Sequence, residues 1–556
     1  MDIINIEESK VKLPTLKYRG VYLHSKYDPE NEAVNFIEKK YKPANIQILI
    51  GYGLGYIYKE LVNRKSSKEK IIVIDPLISK TCGNTQDLIL LEEINAVALK
   101  KFFNKHISVI DTLNIIISIN YDKVLKENLK LILTMLEEKV KSNEIVENTI
   151  QFFSSQWHEN YIKNLKFAIR DNPVGKLFKK KFTCPIVIAS GGPSLTKQIP
   201  LIKKYRDKFI LIAAGTTINS LIKNDIRPDF VISVDGGEIN HKHFENLHIE
   251  DFPLIYCPTV HYGIREKFKE GYYFLPLIES DLQFHYSRFS NNEIDIIMDG
   301  SSVANYAYNL ALLMTTGPVA MIGQDLAYTS GLTHAEGNLN KKNIRDNSEF
   351  SRKLIEREGY FGEPVLTDNV FLQMRDIFEV VLQSFDANSR SYNCTEGGLK
   401  INSFNQITFV SFLKDFTNEP VQISKENIVS MSIQAQTLKK ELAKDVSNIK
   451  ELIKLFEKAL NLLDNNNSEI EYEAHTINKL DEIDNQIQTL IKFTSLEFAF
   501  NLINLRLFKY FKIDESFDRA EKFKVSFDQN KYMYSEMLNV SKDSLKLIEK
   551  EIEYIK

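Results

Sequence analysis

None of the four cysteines (Cys82, Cys184, Cys257, Cys394) has another within reach of a CxxC spacing, so neither a cysteine zinc site nor a disulfide framework is expected. Long apolar runs are missing too. No stretch approaches the ~20 apolar residues a membrane helix needs. The N-terminal "MDIINIEESKVKLPTLKYRG" carries acids where a secretory signal needs a basic start and an apolar core. A cytoplasmic protein with no membrane partner is the expectation. Charge of one sign is scarce: 71 basic residues nearly cancel 74 acidic ones, leaving a formal charge of -3. That removes the broad positive field which nucleic-acid binding relies on. Any charged ligand must therefore be held locally. Glycine and proline are absent from 425 to 556, which excludes turn-rich structure there.

What is present divides the 556 residues into three textures, in keeping with a chain too long for one core. In 1–172, "NIQILIGYGLGYIYKELV" predicts strand, glycine turn and helix, and "EKIIVIDPL" the next strand. Amphipathic spacing over Ile145 to Arg170 predicts a bridging helix in which Trp157 packs. In 173–424, "CPIVIAS", "KFILIAAG", "PDFVISVDGG", "FPLIYCP", "GYYFLPL" and "GPVAMIGQDLAY" are apolar runs without polar alternation, the mark of strands covered on both faces. In 425–556, apolar residues recur at helical spacing from Leu438 to Leu460 and again from Ile477, with "DNNNSE" between them. The expected architecture is α/β. A central doubly wound, Rossmann-like domain follows a smaller α/β domain and precedes a C-terminal α-helical bundle, a structural or docking element.

In an open parallel sheet, ligands bind beyond the carboxyl ends of the strands. There the first central strand runs into Ser190-Gly191-Gly192-Pro193-Ser194 at a helix start. Glycines allow close backbone approach and helix-start amides favour an anion, so the stretch reads either as a phosphate cradle or as a tight turn. The second strand ends in Gly215-Thr216-Thr217, and the third in Asp235-Gly236-Gly237, where the acid would accept bonds from a ribose or hold a cation, or simply form a turn. Gly300-Ser301-Ser302 opens another helix, Gly323-Gln324-Asp325 ends another strand, and His334 lies in the loop behind. These groups are expected to meet in a nucleotide-sugar pocket. By contrast, Gly51-Tyr52-Gly53-Leu54-Gly55, followed by Asp75, lacks the full GxGxxG spacing and is expected to be structural. His241, His243, His248, His261 and His285 show no ligand spacing with a carboxylate, so no metal site is expected, and the rings are read as solvated or internally bonded.

"ASGGPSL", "PDFVISVDGG", "DGSSVANYAYNLALLMTTG" and "IGQDLAY…THAEG", in this order, resemble the motility accessory factor (Maf) family of flagellin glycosyltransferases, as do "LHSKYDPENEA", "GYGLGYIYKEL" and "WHENYIKNL". The central motifs are similar, more distantly, to bacterial CMP-sialic-acid sialyltransferases, a GT-A-variant fold, and to an archaeal pterin pyrophosphokinase. The resemblance implies transfer of a pseudaminic, legionaminic or sialic-type sugar from its CMP donor to Ser or Thr hydroxyls of flagellin, serving flagellar assembly and motility. It assigns the CMP contacts to Gly191, Gly192, Pro193, Ser194, Thr216 and Asp235, and the phosphate or carboxylate contact to Gly300, Ser301 and Ser302. Where the sialyltransferases carry an asparagine in the first turn, this chain has Gly191. His334 is the first choice for general base, with Asp325, Asp235 and Glu238 as rivals. No cofactor is required, Mg²⁺ on Asp235 being optional. Oligomeric state is left open. The alternatives are a pterin-type diphosphokinase and a flagellin-binding chaperone.

Overall fold

The computed structural model describes residues 4–67, 69–78, 88–108, 111–167, 169–249, 252–279, 281–289, 294–344, 352–421, 434–466, 468, 470–497, 499–500, 503–504, 507, 511 and 517–555. Cys82 lies outside them. Two compact units divide the chain, Met1–Gln151 and Phe152–Lys556. The division falls inside the helix Lys126–Asn164, which begins earlier than the expected bridging helix.

In the first unit, β1 (Ile4–Glu8), β2 (Pro14–Tyr18) and β3 (Val21–Tyr22) form an antiparallel meander that the sequence patterning does not announce. A parallel sheet follows, built from β4 (Ile46–Ile50), β5 (Lys70–Ile74), β6 (Leu90–Leu91) and β7 (Leu113–Ile117) in the order β6-β5-β4-β7. Alternate residues of its central strands feed two cores. Ile46, Ile48, Ile50, Ile72 and Ile74 pack with Leu99 and Phe103, whereas Leu49, Ile71 and Val73 pack with Ile57 and Leu61. Burial on both faces is why "IQILI" and "KIIVI" carry almost no polar alternation.

The second unit centres on a nine-stranded, all-parallel sheet. Its strands are β8 (Asn172–Pro173), β9 (Ile186–Ala189), β10 (Ile210–Ala214), β11 (Phe230–Ser233), β12 (Leu254–Tyr256), β13 (Gly271–Tyr273), β16 (Val319–Ile322), β19 (Ser391–Asn393) and β20 (Asn405–Gln406). Between them come the short parallel pair β14 (Leu275–Pro276) and β15 (Ile296–Ile297) and the antiparallel hairpin β17 (Ile355–Glu358) and β18 (Pro364–Thr367). The sheet order is β20-β19-β16-β9-β10-β11-β12-β13-β8. From β9 the strands step one way through β10 to β13, and from β16 the other way through β19 to β20. The strand order reverses between β9 and β16, and the carboxyl ends of strands at such a switch are the place where open parallel sheets take ligands. The helix Val303–Met314 is buried except at Val303 and Leu313 and packs on β9, β10, β11 and β16, which explains its apolar sequence all round.

C-terminal to the sheet come the helices Ala435–Asp464, Ala474–Ile491 and Arg519–Tyr554. The ion pairs Lys450–Glu549, Glu457–Lys542 and Asp464–Lys531 join the first and last of them, and the residue numbers rise on one helix as they fall on the other. These two helices are therefore antiparallel. Asp445 of the first helix receives His285 and Arg288 from the sheet domain. No described helix is long and apolar enough to cross a membrane.

Candidate functional site

The candidate site is built on the two turns that leave β9 and β16. Ser190-Gly191-Gly192-Pro193-Ser194 leads into the helix Leu195–Lys204, and Gly323 turns with φ +61° into Gln324 and Asp325. Two of the amides expected to be free at the first turn, those of Gly192 and Ser194, are engaged. Gly192 N–H donates to Gly323 O at 2.8 Å, and Ser194 donates to Asp325 Oδ2 through its amide at 3.1 Å and to Oδ1 through its hydroxyl at 2.6 Å. The anion at this helix start is the chain's own Asp325. Thr329 adds a bond at 2.7 Å. Burial pushes the Asp325 carboxyl up while those bonds oppose the shift. So fully engaged a group is poorly placed to act as a base, and it locks the two turns together instead.

Above the first turn lies the His334 loop. Ala335 N–H donates to Gly191 O at 2.9 Å, Glu336 N–H to Thr196 Oγ1 at 3.1 Å and Asn338 Nδ2 to Thr216 Oγ1 at 3.2 Å. A Cβ on Gly191 would lie 3.1 Å from Asn338 Nδ2, 3.4 Å from Thr217 Oγ1 and 3.6 Å from the His334 ring. Glycine at 191 thus leaves room for a loop that brings its own amide side chain. His334 is half-buried, and its Nδ1–H donates to Asn340 O at 3.1 Å, which leaves Nε2 as the ring's lone-pair nitrogen. Burial lowers its pKa, the Asn340 bond opposes that, and the charge of His243 adds to it.

Gly215 turns at φ +55°, and a Cβ there would meet Val303 at 3.5 Å, so the end of β10 abuts the helix that Ser302 caps. Asp235 is exposed and accepts from Gly237 N–H at 2.8 Å. Gly236 and Gly300 are packing positions: a Cβ at Gly236 would collide with Thr259 O, Asn160 and Trp157, and one at Gly300 with Asn305. Two asparagines of the helix Lys126–Asn164 hold this rim. Asn160 Nδ2 donates to Gly236 O and Thr259 O, and Asn164 Nδ2 to Pro258 O and Val260 O.

Several buried polar atoms on this edge have no hydrogen-bond partner among the described residues: Ser190 Oγ, Thr217 Oγ1, Gln324 Oε1, Ser301 Oγ and both nitrogens of His243. Leaving such groups unpaired costs roughly 1–3 kcal/mol each, and a ligand bound along the carboxyl edge of β9, β10, β11 and β16 would satisfy them. His243 and Thr217 carry no motif that a sequence search would single out. Nor do Glu279 and Asp299. Burial pushes Glu279 up to about 8 and Asp299 up to about 6, and Thr259 donates to Glu279.

The histidines divide. His248 is exposed and His285 is satisfied by Tyr161 and Asp445, as expected. His243 is neither solvated nor bonded. His241 and His261 share the Glu238 carboxylate, against the expectation that no carboxylate partner exists: Glu238 opens the helix Glu238–Glu245 and His261 follows β12, a proximity only the parallel pairing of β11 and β12 creates. Burial is the largest influence on the Glu238 carboxyl and raises it, but the His261 bond and the charges of His241 and His261 together hold it below the ordinary carboxylate value.

The fold is that of an α/β protein with a large parallel sheet whose strand order reverses between β9 and β16, with unpartnered polar groups at the carboxyl edge of its strands. Over 99% of its length, and 93% of the other chain, it shares the fold of the solved Maf glycosyltransferase from Magnetospirillum magneticum AMB-1, with a TM-score of 0.58 at 16% identity. Residues 159–331 match the family model of 6-hydroxymethylpterin diphosphokinase MptE-like proteins. An uncharacterized protein of Treponema pallidum (strain Nichols) is 32% identical over 89 residues, 16% of this chain and 41% of that protein. The chain thus spans under half of that relative's length.

Proposed function

We propose that the chain is a glycosyltransferase that moves a nonulosonic acid from its CMP donor to Ser or Thr hydroxyls of flagellin. The observation that carries this is the set of unpartnered polar groups along the carboxyl edge of the central strands, with the His334 ring over the Gly191 turn among them. The shared fold with a Maf glycosyltransferase supports the transferase class. In the step itself, the acceptor oxygen bonds to the anomeric carbon as the bond from that carbon to the phosphate oxygen breaks. CMP leaves with the electron pair, and the hydroxyl proton passes to His334 Nε2. Ser190, Thr217 and Gln324 hold CMP, Ser301 and His243 meet the phosphate or the sugar carboxylate, and the Gly300-Ser301-Ser302 helix start favours that charge. Because burial depresses His334, the base stays neutral below the ordinary 6.5, and transfer should hold its rate as pH falls past that value.

Incubation with CMP-pseudaminic or CMP-legionaminic acid and flagellin should add the sugar mass to flagellin. Failure with every such donor, by a folded protein that still binds CMP, would sink the acceptor and sugar assignment. The MptE-like match over 159–331 favours a second reading, diphosphate transfer from ATP to a hydroxymethylpterin. ATP consumption dependent on that pterin, without sugar transfer, would establish it instead.

A further inference from the structure

Glu238 and His241 lie one turn apart on the helix that follows β11, and His261 precedes the helix Tyr262–Glu266 after β12. His261 Nε2 is 3.0 Å from Glu238 Oε2, and His241 Nδ1 is 3.6 Å from Glu238 Oε1. One donor atom from each of the three side chains falls within 4.8 Å of the others. A tetrahedral ion with bonds of about 2.0–2.1 Å sets its donors about 3.3 Å apart. The Glu238 pairs at 3.0 and 3.6 Å are near that spacing, and the remaining separation, up to 4.8 Å, closes by side-chain rotation. The rings stack at 4.4 Å with planes 12° apart, so their in-plane lone pairs run side by side and one ring turns about its χ angles to meet an ion held by the other. His241 Nδ1 is buried without a hydrogen-bond partner among the described residues, a position that favours a ligand. Gly263 makes room for that ring, since a Cβ there would lie 2.5 Å from His241 Nε2.

We infer that Glu238, His241 and His261 form a binding site for a divalent first-row transition ion of the zinc type. Two imidazoles and a carboxylate are a donor set that leaves a position open for water or a ligand oxygen, and the exposure of Glu238 gives that position access from solvent. Binding has one cost. Gly263 N–H donates to His261 Nδ1 at 3.2 Å, and an ion on Nε2 moves the ring proton to Nδ1 and ends that bond. The affinity is accordingly weaker than that of a closed structural zinc site.

The test uses the full chain without a histidine tag, stripped with chelator and titrated with Co²⁺ and then Zn²⁺. One Co²⁺ per chain with a visible tetrahedral absorption band, displaced by Zn²⁺, is expected. His241→Ala and His261→Ala should abolish the band, and Glu238→Gln should weaken binding about 10-fold or more. No retained ion, or an unchanged band and affinity in Glu238→Gln and His241→Ala, overturns the site. Because Glu238 is exposed, its variant keeps the test valid even where His261→Ala does not fold.

Discussion

Each unit contains a strand, a glycine turn and a helix, and the turns of the two units meet different fates. In the first, Tyr52 and Gly53 donate their amides to Asp75, Gly53 also to Tyr121, and Leu54 to His24 Nε2. A Cβ on Gly51 would strike Tyr121, and one on Gly53 would strike His24. That turn is filled by its own side chains. In the second, Asp325 also takes the helix-start amide, yet side chains around it remain unpaired. Glycine turns mark close backbone approach in both units, but only the balance of donors and partners separates a filled turn from a pocket.

The comparison is broken most decisively at the histidines. His334→Ala should lower transfer by roughly 10²–10⁴-fold with CMP binding kept, whereas His24→Ala should leave turnover per folded molecule unchanged and cost about 1–3 kcal/mol in thermal unfolding. Loss of CMP binding in His24→Ala would mean that the first turn is not closed. Next comes backbone room: a Cβ on Gly192 would lie 2.2 Å from Asp325 Oδ2, so Gly192→Ala should destabilise by about 2–4 kcal/mol in denaturant unfolding. Gly191→Ala, with its nearest neighbour at 3.1 Å, should cost far less.

A smaller effect follows pH. Glu279 is raised from 4.5 to about 8, so the native state keeps a proton that the unfolded chain releases. Its stability contribution is full below pH 4.5 and is lost as pH climbs through 8, at no more than about 1.4 kcal/mol per unit. Glu279→Gln should flatten the fall of the thermal midpoint across that window, and an unaltered slope would reject the protonated carboxyl. Smallest is Thr217→Val, which removes an unpaired buried hydroxyl with little change of shape. Calorimetry should find stability unchanged or higher and CMP affinity about 5–10-fold weaker, since a lost hydrogen bond is worth about 1 kcal/mol.

The parallel strands are legible in the sequence because burial on both faces writes itself as Ile, Val and Leu runs, as in "CPIVIAS" and "GPVAMIG". The short strands β8, β19 and β20 are not, since "SYN" and "NQ" depend on neighbours rather than on pattern. Around the site, the turn residues and His334 stand at strand ends and can be found from sequence. Asp325's role, His243 and the sharing of Glu238 by two histidines rest on contacts between segments far apart in the chain, which no local spacing encodes.

The two asparagines that bind the rim stand four residues apart on one helix, so their separation is fixed by the helix pitch. Asn160 ties the loop after β11 to the loop after β12, and Asn164, one turn on, fastens the second loop again, so both loops are set against a rigid element that is synthesised before either of them. That edge of the sheet is therefore measured against a template made in advance, and it closes only once chain made later has returned to it.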